Sequence, residues 1–470
     1  MNKKTKFTIP HQLLVTFVVI LLSTTPAVAQ ISAEGQLIDD DGILSLKENP
    51  FDPGKFIIGR DFHGNTFKNQ DKGLEDMSDC YFNISDASDS KQQNFKLCEK
   101  LELGVIVQAE GKHLSGSDWM KMSDMEIDGY IKKMVESGKK NKAIIGYYIC
   151  DEPSSLAFPK LAVAVAALRK YAPGKLAAIN LYPNYATLWT LDQVKSQLGT
   201  KTYAEYLDKF VTTVHPGMIS YDNYMIQYSM DQEEKSRAVQ YYTNILAVRK
   251  VSLEHHIPWW NVVSGNQIRF YTTIPTLPNL LLQAYTSLAA GAGGVRWFTY
   301  WLGNYDYSPI NAKEQKTLTW HYLREVNRQL AVVGPITKML KSTGVYFTEP
   351  VIDPSLPLLP GDHVQSVDCK QPLMLGEFLS LKGNRYIMVV NLSLEKSARF
   401  VLHTKLPDER LFIVSPGEER PYFTEIVSHN SRNSIVKAKT EEQKRISAQK
   451  AYWLPAGQGV LIKCSGISDL

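Results

Sequence analysis

From about residue 55 to residue 335 the chain alternates eight short apolar β-type runs with longer helical patterns, and few folds accommodate that rhythm. The runs lie at 56–59, 80–84, 104–107, 143–149, 176–182, 218–222, 258–263 and 294–301. Each is rich in branched or aromatic residues and ends in polar groups, as a parallel strand buried on both faces should. Helical patterns fill the gaps, most clearly at 158–171 before the terminator Pro173-Gly174, at 231–253 and at 277–290. Eight β/α units in roughly 250 residues predict a closed (β/α)8 TIM barrel. An open doubly wound sheet competes, but no Gly-rich phosphate loop follows the first strand.

Beyond a helix at 316–333 the character changes. Short strand-like segments at 373–378, 386–391, 400–403, 410–414 and 459–463 alternate with turn residues and show no helical repeat. They predict a small antiparallel β-sandwich over 336–470, following a barrel domain at 55–335 and a lead-in at 30–54. Packing against the barrel is its bland role, and carbohydrate binding the sharper one.

At the other end, Lys3, Lys4 and Lys6 precede the apolar run 13–22 and then Ala27-Val28-Ala29. That order predicts a secretory signal peptide over 1–29, cleaved after Ala29, and hence a secreted or periplasmic protein. The apolar run is too short to span a bilayer comfortably, and no cysteine follows closely enough for a lipid anchor.

The formal net charge of +4 is small for 470 residues, and acidic and basic residues are interspersed. Neither a nucleic-acid surface nor a polybasic membrane patch is expected. Even the basic stretch 437–450 carries Glu441 and Glu442. The five cysteines show no metal-ligand spacing and read as buried thiols, with a Cys80–Cys98 bridge as the alternative in an oxidising compartment. No metal and no cofactor is expected, and no feature of the chain sets an oligomeric state.

In a barrel of this kind the site lies at the C-terminal ends of the strands. The residues expected there are Asp61, His63, Asn83, Asp86, Gln108, Glu110, Asp151, Glu152, Asn180, Tyr182, Asp222, Tyr224, Asn261, Asn266, Gln267, Tyr300, Trp301 and Asn304. Carboxylates and amides bond sugar hydroxyls, and aromatic faces stack on the apolar side of a pyranose, so carbohydrate is the expected partner. Glu152 stands out in Tyr148-Ile149-Cys150-Asp151-Glu152-Pro153, where it follows a fully apolar strand that Pro153 halts. Burial there disfavours a charged carboxylate and suits a proton donor. The competing reading is that Asp151 and Glu152 cap the next helix with Ser154 and Ser155. Among the aromatics, Trp301 is the candidate stacking platform, Trp259 and Trp297 read as core, and Arg296 reads as a buried ion-pair partner.

The segments GYYICDEPSS, INLYPNYA, ISYDNY and GAGGVRWFTYW resemble barrel proteins of Bacteroidetes polysaccharide-utilisation systems, similar to the family 42 β-galactosidase type of glycoside hydrolase. The resemblance covers approximately residues 55 to 335. It implies a glycoside hydrolase whose acid/base glutamate, at the end of strand four, falls on Glu152. That superfamily puts its nucleophilic glutamate at the end of strand seven, where this chain reads PWWNVVSGNQ without an acid. Asp222 is the preferred second carboxylate, with Asp61 and Glu110 in reserve, because both retaining and inverting hydrolysis need a pair. Asp61, His63, Glu110, Asn180, Tyr182, Tyr224, Asn261, Gln267 and Trp301 are then the substrate-binding candidates. Two alternatives stay open. One is a substrate-assisted N-acetylhexosaminidase, with Asp151 orienting the acetamido group and Glu152 protonating the leaving oxygen. The other is a non-catalytic glycan-binding barrel.

Overall fold

The structure is a computed structural model, which describes residues 39–60, 68–87, 94–108, 114–138, 141–189, 196–225, 235–268, 272–301, 305–406, 409–426 and 451–465. The chain divides into two units, residues 1–40 and 41–470, and every element described below belongs to the second. The expected signal peptide lies outside the described residues.

Eight parallel strands form one sheet in the order β1-β8-β7-β6-β5-β4-β3-β2. They are β1 (Ile57–Arg60), β2 (Ile84–Ala87), β3 (Gly104–Val107), β4 (Ile144–Asp151), β5 (Leu176–Leu181), β6 (Ile219–Asp222), β7 (Trp259–Ser264) and β8 (Gly294–Phe298). Between them run α1 (Gln70–Asp79), α2 (Phe95–Lys100), α3 (Gly116–Lys121), α4 (Asp124–Gly138), α5 (Phe158–Tyr171), α6 (Tyr203–Val214), α7 (Lys235–His255) and α8 (Leu277–Ala289), and α9 (Leu318–Met339) follows β8. The (β/α)8 barrel expected from the alternation is therefore present. Its inner floor is a cluster of Ile57, Ile84, Ile106, Ile145, Tyr148, Ala178, Met218 and Trp260, drawn from strands all around the ring. Gly294 makes room for it: a Cβ there would lie 2.7 Å from the Ile57 Cβ and 3.0 Å from the Trp260 ring. Trp297 faces the other way and donates its ring N–H to Asn327 Oδ1 on α9 at 2.8 Å, so it is core, as its place in the strand predicts.

The seam between β1 and β2 has no regular ladder. Asn83 closes it by standing in for a backbone: its Oδ1 accepts from Ile58 N at 2.9 Å, and its Nδ2 donates to Phe56 O at 2.7 Å. Its own N–H reaches Ile58 O at 3.0 Å. The second strand starts one residue after Asn83, so this asparagine is a seam staple and not a strand-end ligand. Asn83→Ala should cost about 2 kcal/mol, because it strands one donor and one acceptor between strands. A lowered urea midpoint would show this, and an unchanged midpoint would mean that the seam is held elsewhere.

Two antiparallel sheets follow, packed as the predicted sandwich. They contain β9 (Lys341–Phe347), β10 (Val364–Cys369), β11 (Leu373–Leu379), β12 (Arg385–Asn391), β13 (Ala398–Thr404), β14 (Arg410–Pro416), β15 (Pro421–Glu425), β16 (Ala451–Leu454) and β17 (Gly459–Ser465). Six form the sheet β15-β14-β17-β12-β11-β9 and three the sheet β10-β13-β16. Leu375, Ile387, Val389 and Ile462 of the larger sheet meet Phe400, Leu402 and Leu454 of the smaller in one apolar core. The expected strands at 373–378, 386–391, 400–403, 410–414 and 459–463 are all there, and β9, β10, β15 and β16 are additional.

The larger sheet docks on α8, which explains why that helix is buried at every position from 279 to 289. A helix buried on every face needs cover on both sides. Three glycines let it approach. A Cβ at Gly376 would lie 2.1 Å from Ala289 O, one at Gly457 2.0 Å from Pro278 O, and one at Gly459 2.4 Å from the Tyr285 ring. Cys80 and Cys98 are both buried free thiols, so the bridge entertained from sequence does not form.

Candidate active site

β4 runs to Asp151, two residues past its expected end, and its register with β5 shifts between Tyr148 and Cys150. Such an irregularity re-aims side chains at a strand end. Tyr148, part of the barrel floor, donates its hydroxyl to Asp151 Oδ1 at 3.0 Å. Glu152 follows with φ at +40°, a left-handed conformation that a non-glycine residue adopts only when its surroundings enforce it. Its N–H donates to Asn180 O at 2.8 Å. The turn beyond is fastened from outside. Tyr206 on α6 donates to Pro153 O at 2.7 Å, and Ser155 donates through Oγ to Gly199 O at 3.0 Å.

This geometry disposes of the capping alternative. The short 3-10 turn Ser155–Ala157 is capped by Ser154, and α5 begins after Ala157 with no side-chain cap. Neither Asp151 nor Glu152 serves a helix terminus.

Asn180, at the end of β5 and 3% exposed, joins its neighbours. Its Nδ2 donates to Asp151 Oδ1 at 3.3 Å and to Asp222 Oδ1 at 3.1 Å, and its Oδ1 accepts from Ser220 Oγ at 2.9 Å. Because one nitrogen serves both, the two carboxylate oxygens face each other across β5 within about 6 Å. The shared donor ties the two carboxylates to one amide and fixes them relative to each other. Tyr182 completes the group. Its hydroxyl is pushed up to about 12, first by burial and then by the negative field of Glu152, Asp151 and Asp222. It is thus a protonated donor throughout the working range, in the combined field of all three carboxylates.

The remaining candidates divide. Tyr224, half-buried beyond β6, lies with its ring 5.2 Å from Phe298 at 31°, and Phe298 meets Tyr305 edge-on at 5.4 Å. Trp301 is half-buried and donates its ring N–H to Asn311 O at 3.1 Å. Gln267 pins its own loop, donating to Thr272 O at 3.2 Å. The end of β7 is a buried network of hydroxyls and amides: Ser264 Oγ donates to Asn266 O at 3.1 Å, and Asn266 Nδ2 to Thr299 Oγ1 at 3.0 Å. Asn261 is a correction. Its Nδ2 donates to Ser287 Oγ on α8 at 2.8 Å, so its side chain faces the helix layer and not the mouth. Tyr300, fully buried, accepts from the Trp320 ring N–H at 3.0 Å and belongs to the core. Asp61, His63, Glu110 and Asn304 lie outside the described residues.

Arg296 and Asp86 form a buried ion pair inside the barrel, with the guanidinium 5.9 Å from the Trp260 ring. Register sets Arg296 level with Val262, and Val262 level with Asp222. The residues that sequence reasoning missed are supports: Tyr148 and Ser220, which hold Asp151 and Asn180, and Tyr206, which holds the turn after Glu152. No motif marks them, because each acts through a neighbour distant in sequence.

Among the described residues one trio could converge on a metal ion: His363, Glu409 and Cys464, in the sandwich, with donor atoms within 4.8 Å of one another. Glu409 already pairs with His363 Nε2 at 3.1 Å and Arg385 Nη1 at 3.3 Å, and burial pushes the Cys464 thiol well up. Glu409 is thus already engaged by Arg385 and His363, and the trio reads as a buried polar cluster of the sandwich.

No family model matches the chain, and no curated protein matches it in sequence. Among solved structures it is similar to a β-galactosidase from the psychrophilic Marinomonas ef1, at 10% identity and a TM-score of 0.45, with 61% of this chain and 62% of that one covered. It is similar to a glucosidase from Croceicoccus marinus, at 8% identity and a TM-score of 0.39, with 88% and 98% covered. A proposed alpha-L-fucosidase from Bacteroides thetaiotaomicron aligns at 14% identity and a TM-score of 0.42, with 59% and 96% covered. These neighbours are glycoside hydrolases by name. The barrel described above stands on its own strand order.

Proposed function

We propose that this barrel hydrolyses glycosidic bonds, with Glu152 as general acid/base and Asp222 as the second carboxylate. The observation that carries the reading is the set at the ends of β4, β5 and β6: Glu152 in an enforced left-handed turn, beside Tyr182, with Asp151 and Asp222 sharing the Asn180 amide. Glycoside hydrolysis needs a proton donor on one side of the bond and a carboxylate on the other. The Tyr182 phenol and the Asn180 amide supply hydrogen bonds for hydroxyls, and Tyr224 and Trp301 supply apolar faces. Water is the only co-reactant. Export belongs to the same proposal, on the strength of the basic, apolar and Ala-x-Ala order at 3–29.

One observation favours a second route. Asp222 is only 4% exposed and tied to Asn180, which is a poor posture for a nucleophile that must reach an anomeric carbon. In a substrate-assisted reaction the 2-acetamido group attacks instead, oriented by Asp151, and Glu152 protonates the leaving oxygen.

The test is a panel of aryl glycosides that includes aryl N-acetylhexosaminides. Turnover restricted to the acetamido sugars selects the substrate-assisted route, and turnover of simple hexosides selects the Glu152–Asp222 pair. Silence across the panel and across natural oligosaccharides, with glycan binding retained, would replace the enzyme by a binding barrel. In an active protein Asn180→Ala should lower kcat/KM about 10- to 100-fold, the worth of hydrogen bonds to charged groups. An unchanged kcat/KM would make Asn180 a purely structural bridge.

A further inference from the structure

The three-stranded sheet β10-β13-β16 turns one face to the sandwich core, through Val364, Ala398, Phe400, Leu402 and Leu454. Its other face carries Trp453, which is 61% exposed, directly across from Arg399 in the β13–β16 register. The two belong to a pocket of about 460 Å³ that Lys370, Gln371, Ser397 and Asp368 also line. An isolated exposed tryptophan would need no explanation. Here the indole is one wall of a concavity whose other walls are hydrogen-bonding side chains. Asp368 is engaged by His403 Nε2 at 3.0 Å, whereas Arg399 and Lys370 have no ion-pair partner among the described residues. The charge left to face a ligand is positive.

We propose that this pocket binds an acidic saccharide unit, a pyranose carrying a carboxylate or a sulfate. The apolar C–H face of a pyranose packs against an indole, as aromatic side chains do with other apolar rings. The fork of Arg399 matches a carboxylate or sulfate with two parallel hydrogen bonds, and Lys370 adds a point charge. Gln371 and Ser397 provide the mixed donors and acceptors that ring hydroxyls require. The pocket is built wholly from the sandwich, so its binding is independent of the barrel's chemistry and survives if the hydrolase reading fails.

The experiment is affinity electrophoresis of the whole protein in gels containing dextran, dextran sulfate or polygalacturonate, at physiological salt so that unspecific attraction between charges is screened. The matched dextrans separate charge from sugar, and polygalacturonate against dextran sulfate separates carboxylate from sulfate. Retardation is expected on at least one acidic polymer and not on dextran. Trp453→Ala and Arg399→Gln should each weaken it about tenfold, while Glu152→Gln leaves it unchanged. No retardation on either polyanion overturns the proposal. So does retardation that Arg399→Gln abolishes and Trp453→Ala leaves intact, because that pattern is attraction between charges without a sugar site. Loss in Glu152→Gln would place the binding in the barrel and would equally overturn it.

Discussion

Glu152→Gln should slow hydrolysis of substrates with poor leaving groups by about 10²–10⁴-fold, and should slow dinitrophenyl glycosides far less. The substitution keeps the size of the side chain and removes only the transferable proton, a loss of about 3–5 kcal/mol of transition-state stabilisation. A leaving group that departs readily as an anion does not need that proton, so its rate is spared. The dependence on leaving group therefore reads a role, and not merely an importance. Steady-state kcat/KM across a series of aryl glycosides measures it. An equal loss on all substrates would assign Glu152 to binding or to nucleophilic attack. The fold gives reason to expect the selective result. Glu152 sits in a left-handed turn, its N–H bonded to Asn180 O and the following carbonyl held by Tyr206. A strained and doubly anchored backbone at a strand end aims a side chain at a defined place.

The barrel was legible because eight buried strands and their helices impose two different hydrophobic periods, and the change of period is visible residue by residue. The Asp151-Glu152-Pro153 element was legible too, since a proline directly after two carboxylates ends an apolar strand abruptly. The orientation of residues within β7 was not. Trp259–Ser264 is buried throughout, so its pattern does not say which alternate residues face inward. Trp260 turns to the barrel floor and its neighbour Asn261 therefore turns to α8, although an amide in a strand reads naturally as a ligand. Asn83 misleads for a related reason, since an asparagine that replaces backbone hydrogen bonds looks in sequence like one that waits for substrate. The roles of Asn180, Ser220 and Tyr148 need three strands brought side by side, and no local pattern encodes that. In the sandwich two of the missed strands, β10 and β16, flank β13 in the smaller sheet, whose outer face carries exposed and charged residues that dilute the strand signal.

Asp86→Ala should destabilise the protein by about 3–5 kcal/mol, because it leaves a guanidinium in the barrel without its carboxylate. The side chains of Arg296 and Asp86 are 0% and 6% exposed, so water cannot take over as partner. Arg296 also donates to Arg60 O at 3.1 Å, and Arg60 donates to Asp86 O at 2.7 Å, so the pair anchors the β1–β2 side where the ladder is incomplete. Replacing both partners at once, Asp86→Leu with Arg296→Met, should recover most of the loss, since two desolvated charges disappear together. Chemical denaturation of the two variants measures the difference, and a single variant as stable as the double would mean that the pair is not coupled. Activity is expected to part company with stability in the double variant. Arg296 is level with Asp222 through Val262, so the interior that holds the two site aspartates also holds this cation. Without the pair, the barrel interior between those strands loses a fixed, hydrogen-bonded anchor, and kcat/KM should fall while the fold persists. A double variant that keeps both stability and activity would show that the pair is scaffolding alone. One that keeps stability and loses activity would show that a structural ion pair also holds the strand ends that position the site.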